Sequence, residues 1–462
     1  MHSNRLVFIL CVAVALVGCS DDEEVCSVET VGTIGLCEDG YVCAEGPGGE
    51  LSCLRPVQVR GLVFDALTDA PVEGASVVAL DANGAARSAV AFTAVDGSYE
   101  LPVAVARDAS GSPNDESITL RVDAQGYQPF PRAPRTALPI ELGSATQTAD
   151  EDPWVVMNAA TDVALLPLPG ATGDGRIEGV VDHPDPGGTL VVAELGGEAV
   201  STAIADRDGE FVLFNVPSGD VEVDGYRDGV NVEAQTVSVG AAPVAGVVLL
   251  AGSDGLSTIT GDVNIVNPGD CGTTSVILVV ESTFDENVAR GASPAGLRVA
   301  GVSGSFTIED VPPGRYVVLA AFENDACVRD PDPCIAGTDI VSIDVPAVTD
   351  LAESFKVTGA LEVISPGADS VEPVSSSEPT FTWADDSSEE GYELRVYDAF
   401  GELVHEDLDV PEGRGSDVSY TWTGASLAPG MIYQFRVWSW RRTERCLISS
   451  TEDLRGVFVY QP

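Results

Sequence analysis

The chain has 462 residues, and 73 Asp and Glu against 23 Lys and Arg give it a formal charge of −50, which excludes nucleic acid and anionic lipid headgroups as partners reached through a basic surface. Hydrophobic residues make up 44%, enough apolar mass for packed domains, about three to four at this length. The 48 Gly and 29 Pro favour many short strands joined by turns over long helices, so the expected class is all-β, with tandem β-sandwiches behind a small disulfide-rich N-terminal module.

At the N-terminus Arg5 precedes an apolar run over residues 6–17, too short to span a bilayer and suited to a secretory signal core. The run ends in Leu16-Val17-Gly18-Cys19, which resembles the lipobox of bacterial lipoproteins. The resemblance implies a signal peptide over 1–18 and a diacylglycerol on the Cys19 sulfur, an anchor well above one myristoyl chain. Residues 19–25 then form a solvated tether with Asp21-Asp22-Glu23-Glu24. Ser20 after the Cys resembles the pattern of lipoproteins sorted to the outer membrane. A Ser-acidic run there resembles surface-export signals. The expected location is therefore the cell envelope, held to the membrane through the lipid.

With Cys11 in the leader and Cys19 lipidated, eight Cys remain for an oxidising compartment. Cys26, Cys37, Cys43 and Cys53 crowd into a Gly-rich module over 26–56 that is too small to bury a core unaided, which points to two disulfides in one of three pairings. Their separations of ten, five and nine residues do not suit zinc. Cys327 and Cys334 bracket a polar Pro-containing loop that a local bridge would close. The rival pairing joins Cys271 to one of them and Cys446 to the other, and the local bridge is slightly favoured.

Three stretches, 57–150, 174–252 and 257–357, repeat one pattern. Each opens with an alternating strand containing a Gly: Val59-Arg60-Gly61-Leu62-Val63, Ile177-Glu178-Gly179-Val180-Val181, and Ile259-Thr260-Gly261-Asp262-Val263. A second apolar strand follows. Then come the hairpin turns Asp96-Gly97, Asp208-Gly209 and Ser303-Gly304, where Gly supplies positive φ and the aromatic two residues on, Tyr99, Phe211 or Phe306, points inward. Pro-Gly turns follow, clearest in Val216-Pro217-Ser218-Gly219 and Val311-Pro312-Pro313-Gly314. These residues resemble the carboxypeptidase regulatory-like family, a transthyretin-type β-sandwich. The first copy matches most fully, with Pro71-Val72-Glu73-Gly74-Ala75, an element the other two lack. The resemblance implies an accessory or scaffold module without catalysis and names no ligand.

The last stretch, 359–462, holds four of the five Trp. Phe381-Thr382-Trp383 is expected as a strand with Trp383 in the core, and Tyr392 to Tyr397 alternates. Leu427-Ala428-Pro429-Gly430-Met431-Ile432-Tyr433 resembles the tyrosine corner of fibronectin type III-like domains, which implies a Tyr433 hydroxyl bonded back to the backbone.

Signs of chemistry are few. His183 and His405 stand in different predicted domains and in no metal-binding spacing. Gly291-Ala292-Ser293-Pro294-Ala295-Gly296 has one residue too many for a nucleophile elbow, and in Arg414-Gly415-Ser416-Asp417 the Ser breaks the adhesion tripeptide. Asn324, Asp325, Asp330 and Asp332 are the best cluster for Ca²⁺, yet they lack the alternate spacing and closing Glu of an EF-hand, so a solvated loop is expected. No cofactor, no nucleic-acid partner and no enzyme activity are expected. The role that remains is a scaffold or adhesive protein binding an envelope protein or a polysaccharide. In the polysaccharide reading Trp438 and Trp440, which share one strand face, stack on sugars. A hydrolase with an unrecognised site is the other rival.

Overall fold

The computed structural model describes residues 26, 37, 40–149, 152–170, 175–286, 288–320, 325–329, 340–352, 354–386, 388–413, 417–441 and 445–462. The leader, Cys19 and the tether lie outside these residues, as do Asn324, Asp330, Asp332, Cys334 and residues 414–416. The fold is all-β: among the described residues the helical elements are three-residue turns such as Leu142–Ser144 and Ala159–Thr161.

The N-terminal module is a hairpin of Val42–Glu45 and Leu51–Leu54 in which Cys43 stands opposite Cys53. Disulfides Cys26–Cys43 and Cys37–Cys53 hold it. Arg107 ties it to the next domain, its N–H donating to Glu45 O at 2.8 Å and its guanidinium to Arg55 O at 2.6 Å.

In the first sandwich Val57–Asp65 lies between Ser98–Val103 and the short parallel strands Trp154–Val156 and Val163–Leu165. The last two carry the domain past its expected end at residue 150. The facing sheet runs Ala91–Phe92, Ser76–Leu80, Ser117–Asp123, Ile140–Glu141. Val57, Val59 and Val63 meet Val77, Leu120 and Val122 in the core between them, as period-two alternation requires. In the second sandwich eight strands from Gly175–Asp182 to Val244–Gly252 form one folded-over sheet, joined at Val230–Val232. The third has two four-stranded sheets, centred on Ser257–Val266 and Thr274–Val280. The last pairs a three-stranded sheet through Thr380–Ala384 with a six-stranded sheet through Gly391–Asp398 and Ile432–Arg441.

The repeated glycines have a common cause. Gly61 pairs across the ladder with Tyr99, Gly179 with Phe211 and Gly261 with Phe306. The last sandwich repeats the device with Gly391 opposite Trp440. Each aromatic ring lies over the bare Gly. A Cβ on Gly179 would stand 2.5 Å from Phe211 Cζ, and on Gly261 2.7 Å from Phe306 Cζ. The turns differ among copies: Gly97 and Gly209 have φ of 77° and 82°, but Gly304 does not take positive φ. There the left-handed residue is Gly301, at a bulge where 299 and 302 pair with 276 and 274, so the turn itself needs no left-handed Gly.

The local Cys327–Cys334 bridge gives way to Cys271–Cys327, with Cα atoms 4.8 Å apart. Cys327 opens the strand Cys327–Arg329, which pairs with Phe355–Gly359 so that Cys327 faces Gly359. Phe355–Gly359 also flanks Ser257–Val266, whose exit leads to Cys271. The sheet thus delivers the two thiols to each other. Cys446 is disulfide-bonded as well.

Candidate functional site

The sandwiches meet through a recurring seat. In the second and third, a β-bulge precedes the Pro-Gly turn, and its left-handed residue is Asn215 (φ 57°) or Asp310 (φ 54°). Asn215 reaches into the first sandwich. Its Nδ2 donates to Ala124 O and Tyr127 O, both at 2.9 Å, and its Oδ1 accepts from Gly126 N at 2.7 Å. At the next junction Gly229 N of the second sandwich donates to Asp310 O at 2.9 Å, and Tyr226 meets Tyr316 edge to face at 5.9 Å. Sequence reasoning passed over both residues, although Asn and Asp at the same offset before two Pro-Gly turns are the residues that tolerate positive φ.

Arginines bridge the remaining contacts. Arg298 pairs with Asp81 of the first sandwich at 2.7 Å. Arg290 of the third and Arg436 of the last share Asp453, the latter at 2.7 Å. Burial pushes the Arg290 guanidinium down to about 9, with Arg436 adding to the effect, and burial pushes Arg436 down to about 10. The last sandwich also returns to the first. Phe400 meets Phe64 edge to face at 5.7 Å, and Arg135 donates to Phe400 O and Ala164 O while pairing with Glu402 at 2.9 Å. The four sandwiches therefore form a closed assembly in place of an extended string.

The outer face of the six-stranded sheet carries the aromatics of interest. Trp438 and Trp440 do share this face, half-buried. The Trp438 ring has the guanidinium carbons of Arg395 and Arg436 at 5.1 and 5.2 Å from its centroid, and Arg445 lies over Trp440 at 4.9 Å. Glu393 binds Arg395 at 3.1 Å and Arg445 at 3.7 Å. This cation–π ladder leaves the indole faces occupied instead of offering them to a sugar. Beneath it, the Tyr433 hydroxyl accepts from Ala428 N at 2.9 Å, and Trp383 is fully buried.

The remaining sequence candidates have structural partners. His405 Nε2 is 2.8 Å from the Tyr420 hydroxyl, with its ring over Trp422 at 5.0 Å, whereas His183 closes a turn on Asp185 in the second sandwich. The two are not brought together. Ser293 is buried and its Oγ donates to Leu278 O at 3.1 Å, with no histidine beside it among the described contacts. Asp325 Oδ1 accepts from Cys327 N at 2.9 Å, capping the strand start. Among the described residues no three His, Cys, Asp or Glu are grouped to hold a metal ion, and no helix is long and apolar enough to cross a membrane.

No family model matches the chain, and no curated protein does. Solved structures that resemble it are of β-sandwich proteins. The Bacillus anthracis TIE protein is 10% identical, with 84% of this chain and 68% of that chain covered and a TM-score of 0.15. A streptococcal ancillary pilin is 12% identical, with 66% and 99% covered and a TM-score of 0.17. A DUF3823 family protein from Bacteroides ovatus is 13% identical, with 44% and 98% covered and a TM-score of 0.21. At identities and scores this low, the architecture rests on the chain's own sheets.

Proposed function

We propose that the chain is a non-catalytic lipoprotein of the cell envelope, anchored in the outer membrane through Cys19 and presenting a scaffold of β-sandwiches for structural or adhesive binding. Three carboxypeptidase regulatory-like sandwiches and a fibronectin type III-like end would make up that scaffold. The observation that carries the reading is where the polar chemistry goes. Histidines, buried serine and the most desolvated arginines are committed to turns, strand starts and seams between sandwiches. Where acids meet hydroxyls in the last sandwich, Asp385 and Asp386 are likewise taken up in bonds from Tyr392 and Ser439. The covered Trp438 and Trp440 faces weigh against sugar stacking as the mode of binding.

The anchoring half is tested by metabolic fatty-acid labelling and membrane fractionation of wild type and Cys19→Ala. Label and membrane retention are expected in the wild type only, because acyl chains supply the buried CH₂ groups that hold so acidic a body to a bilayer. An unlabelled wild type, or a variant that still sediments with membranes, ends the lipoprotein reading.

A further inference from the structure

In the second sandwich two consecutive strands leave a gap. Gln235–Val239 pairs only with Gly219–Arg227. Val244–Gly252 runs along Gly175–Asp182 on one side, and on the other it meets Val230–Val232 only at Ala251 and Gly252. Among the described residues no backbone bond joins the two strands to each other, so each keeps an open edge, although Leu250 O accepts from Glu233 N at 2.8 Å. Between them lies an open groove of about 570 Å³ whose lining includes Thr236, Val237, Ser238, Val247, Val248 and Leu250. A bulge at Gly246, with φ of 77°, lets Val244 and Val247 take neighbouring pairings, with Ile177 and Gly179.

Two properties set this groove apart. Its lining carries no charge in a chain of −50, and it exposes 40% of Val248 and 47% of Leu250. The long edge strand Leu403–Pro411 also exposes Leu403, Val404 and Leu408, but it is blunted. It bears Glu406, Asp407 and Asp409, two bulges interrupt it, and Arg445 donates to Leu408 O at 2.5 Å. The groove edge shares the bulge, at Gly246, but Val244–Gly252 carries no charged side chain. Around it the charge is negative: on the outer face Thr236 pairs with Glu222 and Ser238 with Asp220, and both acids are exposed.

We propose that this groove takes an extended segment of a partner protein as an added strand, with apolar side chains facing the groove and basic side chains on the outer face. The inward positions meet Val237 and Val247 at the margin of the core, outward Lys or Arg lay their alkyl stems beside the exposed Val248 and Leu250 and reach Glu222 and Asp220, and the strand edges supply main-chain hydrogen bonds. A second copy of this chain is a poor occupant, since it brings another −50 to an acidic rim. The inference rests on the scaffold reading and assigns it a partner chemistry.

The test uses the full chain without its leader and fluorescence anisotropy of labelled peptides at about 0.15 M salt, where surface charges are screened beyond a Debye length. The probe is a heptapeptide alternating Lys and Val. The comparisons are a peptide of the same composition with Lys and Val in separate blocks, and the alternating peptide N-methylated along one edge. Alternation should improve affinity at least about tenfold over the block peptide, and N-methylation should remove that gain. Val248→Asn and Leu250→Asn, both at exposed positions, should each weaken binding about tenfold, while Val404→Asn on the blunted edge should leave it unchanged. Equal binding of alternating and block peptides, or indifference to Val248→Asn, would show attraction by net charge alone and overturn the proposal. So would a concentration-dependent dimer in sedimentation that Val248→Asn abolishes, which would make a second copy the occupant. Failure here leaves the anchoring result untouched, because that is read on membranes and not on peptides.

Discussion

Placing a methyl group under an aromatic lid tests the packing logic of the whole chain. In Gly179→Ala the new Cβ would lie 2.5 Å from Phe211 Cζ and 2.5 Å from Val247 O. An ordinary contact near 3.5 Å needs a shift of about 1 Å from a ring that is itself locked in the core, and overpacking of this kind costs about 1–3 kcal/mol. Ala recovers about 0.5–1 kcal/mol through lower backbone entropy in the unfolded chain. The net expectation is a loss of about 1–2 kcal/mol. Gly61→Ala should cost more, about 3 kcal/mol, because its Cβ meets the backbone oxygen of Thr161 at 2.0 Å, and that oxygen also accepts the Tyr99 hydroxyl at 2.6 Å. Gly261→Ala should cost least of the three, about 1 kcal/mol, since its neighbours are the side-chain atoms of Phe306 and Leu351. Gly304→Ala is the control: nothing lies within 4 Å and the backbone there is not left-handed, so it should be neutral or slightly stabilising. A chain of several sandwiches need not unfold in one step. Hydrogen exchange under urea, resolved by peptide, therefore reads each sandwich separately. If Gly179→Ala and Gly304→Ala fall within about 0.5 kcal/mol of each other, the aromatic lid is not what the repeated Gly serves.

Tyr433→Phe should destabilise the last sandwich by about 1–1.5 kcal/mol, because the Ala428 N–H loses its acceptor with little change in packing; an unchanged urea midpoint for peptides of that sandwich would refute the corner. Asp224 should make the junction of the second and third sandwiches weaken as pH rises towards neutrality. Burial raises its carboxyl to about 6, against the opposing hydrogen bond from Gly225 N and with help from Glu222 and Glu194, so the charged form is the one the fold penalises. Its contribution is most favourable below the unfolded value near 3.8, declines as pH rises, and is lost once pH passes about 6. Thermal melts from pH 4 to 7.5 should therefore show Asp224→Asn losing less stability with rising pH than wild type, by on the order of 2 kcal/mol across the window. Parallel profiles would mean the carboxylate stays solvated.

Much of the architecture was legible because it is written in local chemistry. Alternation in Val57–Asp65, the Asp-Gly turns and the Leu427 to Tyr433 corner each depend on residues adjacent in sequence. What could not be read depends on distant pairing. The choice of Cys271 over Cys334 as partner of Cys327 follows from Phe355–Gly359 lying between two strands. The same limit hid the fate of Trp438. Its outward position follows from strand alternation, but the Arg395 that covers it comes from a neighbouring strand whose register the sequence does not state. The closed arrangement of sandwiches was the least visible, since it turns on single residues, Asn215 and Arg135, that look like ordinary loop polars.

That arrangement raises an electrostatic problem which the placement of cations answers. In a chain of −50 the acidic sandwiches should repel and string out, and the whole chain has only 23 cationic side chains to oppose this, 22 of them Arg. Several sit at the seams: Arg290 and Arg436 on Asp453, Arg135 against Phe400 O and Glu402, Arg121 bridging Asp123 to Thr202 of the next sandwich. Arg suits the task better than Lys because its planar fork serves a carboxylate and a carbonyl together and is less costly to dehydrate. The junctions also use neutral donors, the Asn215 amide and the Gly229 N–H, which carry no desolvated charge. Exposed cations such as Arg60, Arg207 and Arg315 are far outnumbered by acids, so the outside is mostly negative. A surface of that kind discourages its own copies and favours basic partners, and within the second sandwich the uncharged groove beside Glu222 and Asp220 is where such a partner would find both an open strand edge and exposed apolar side chains.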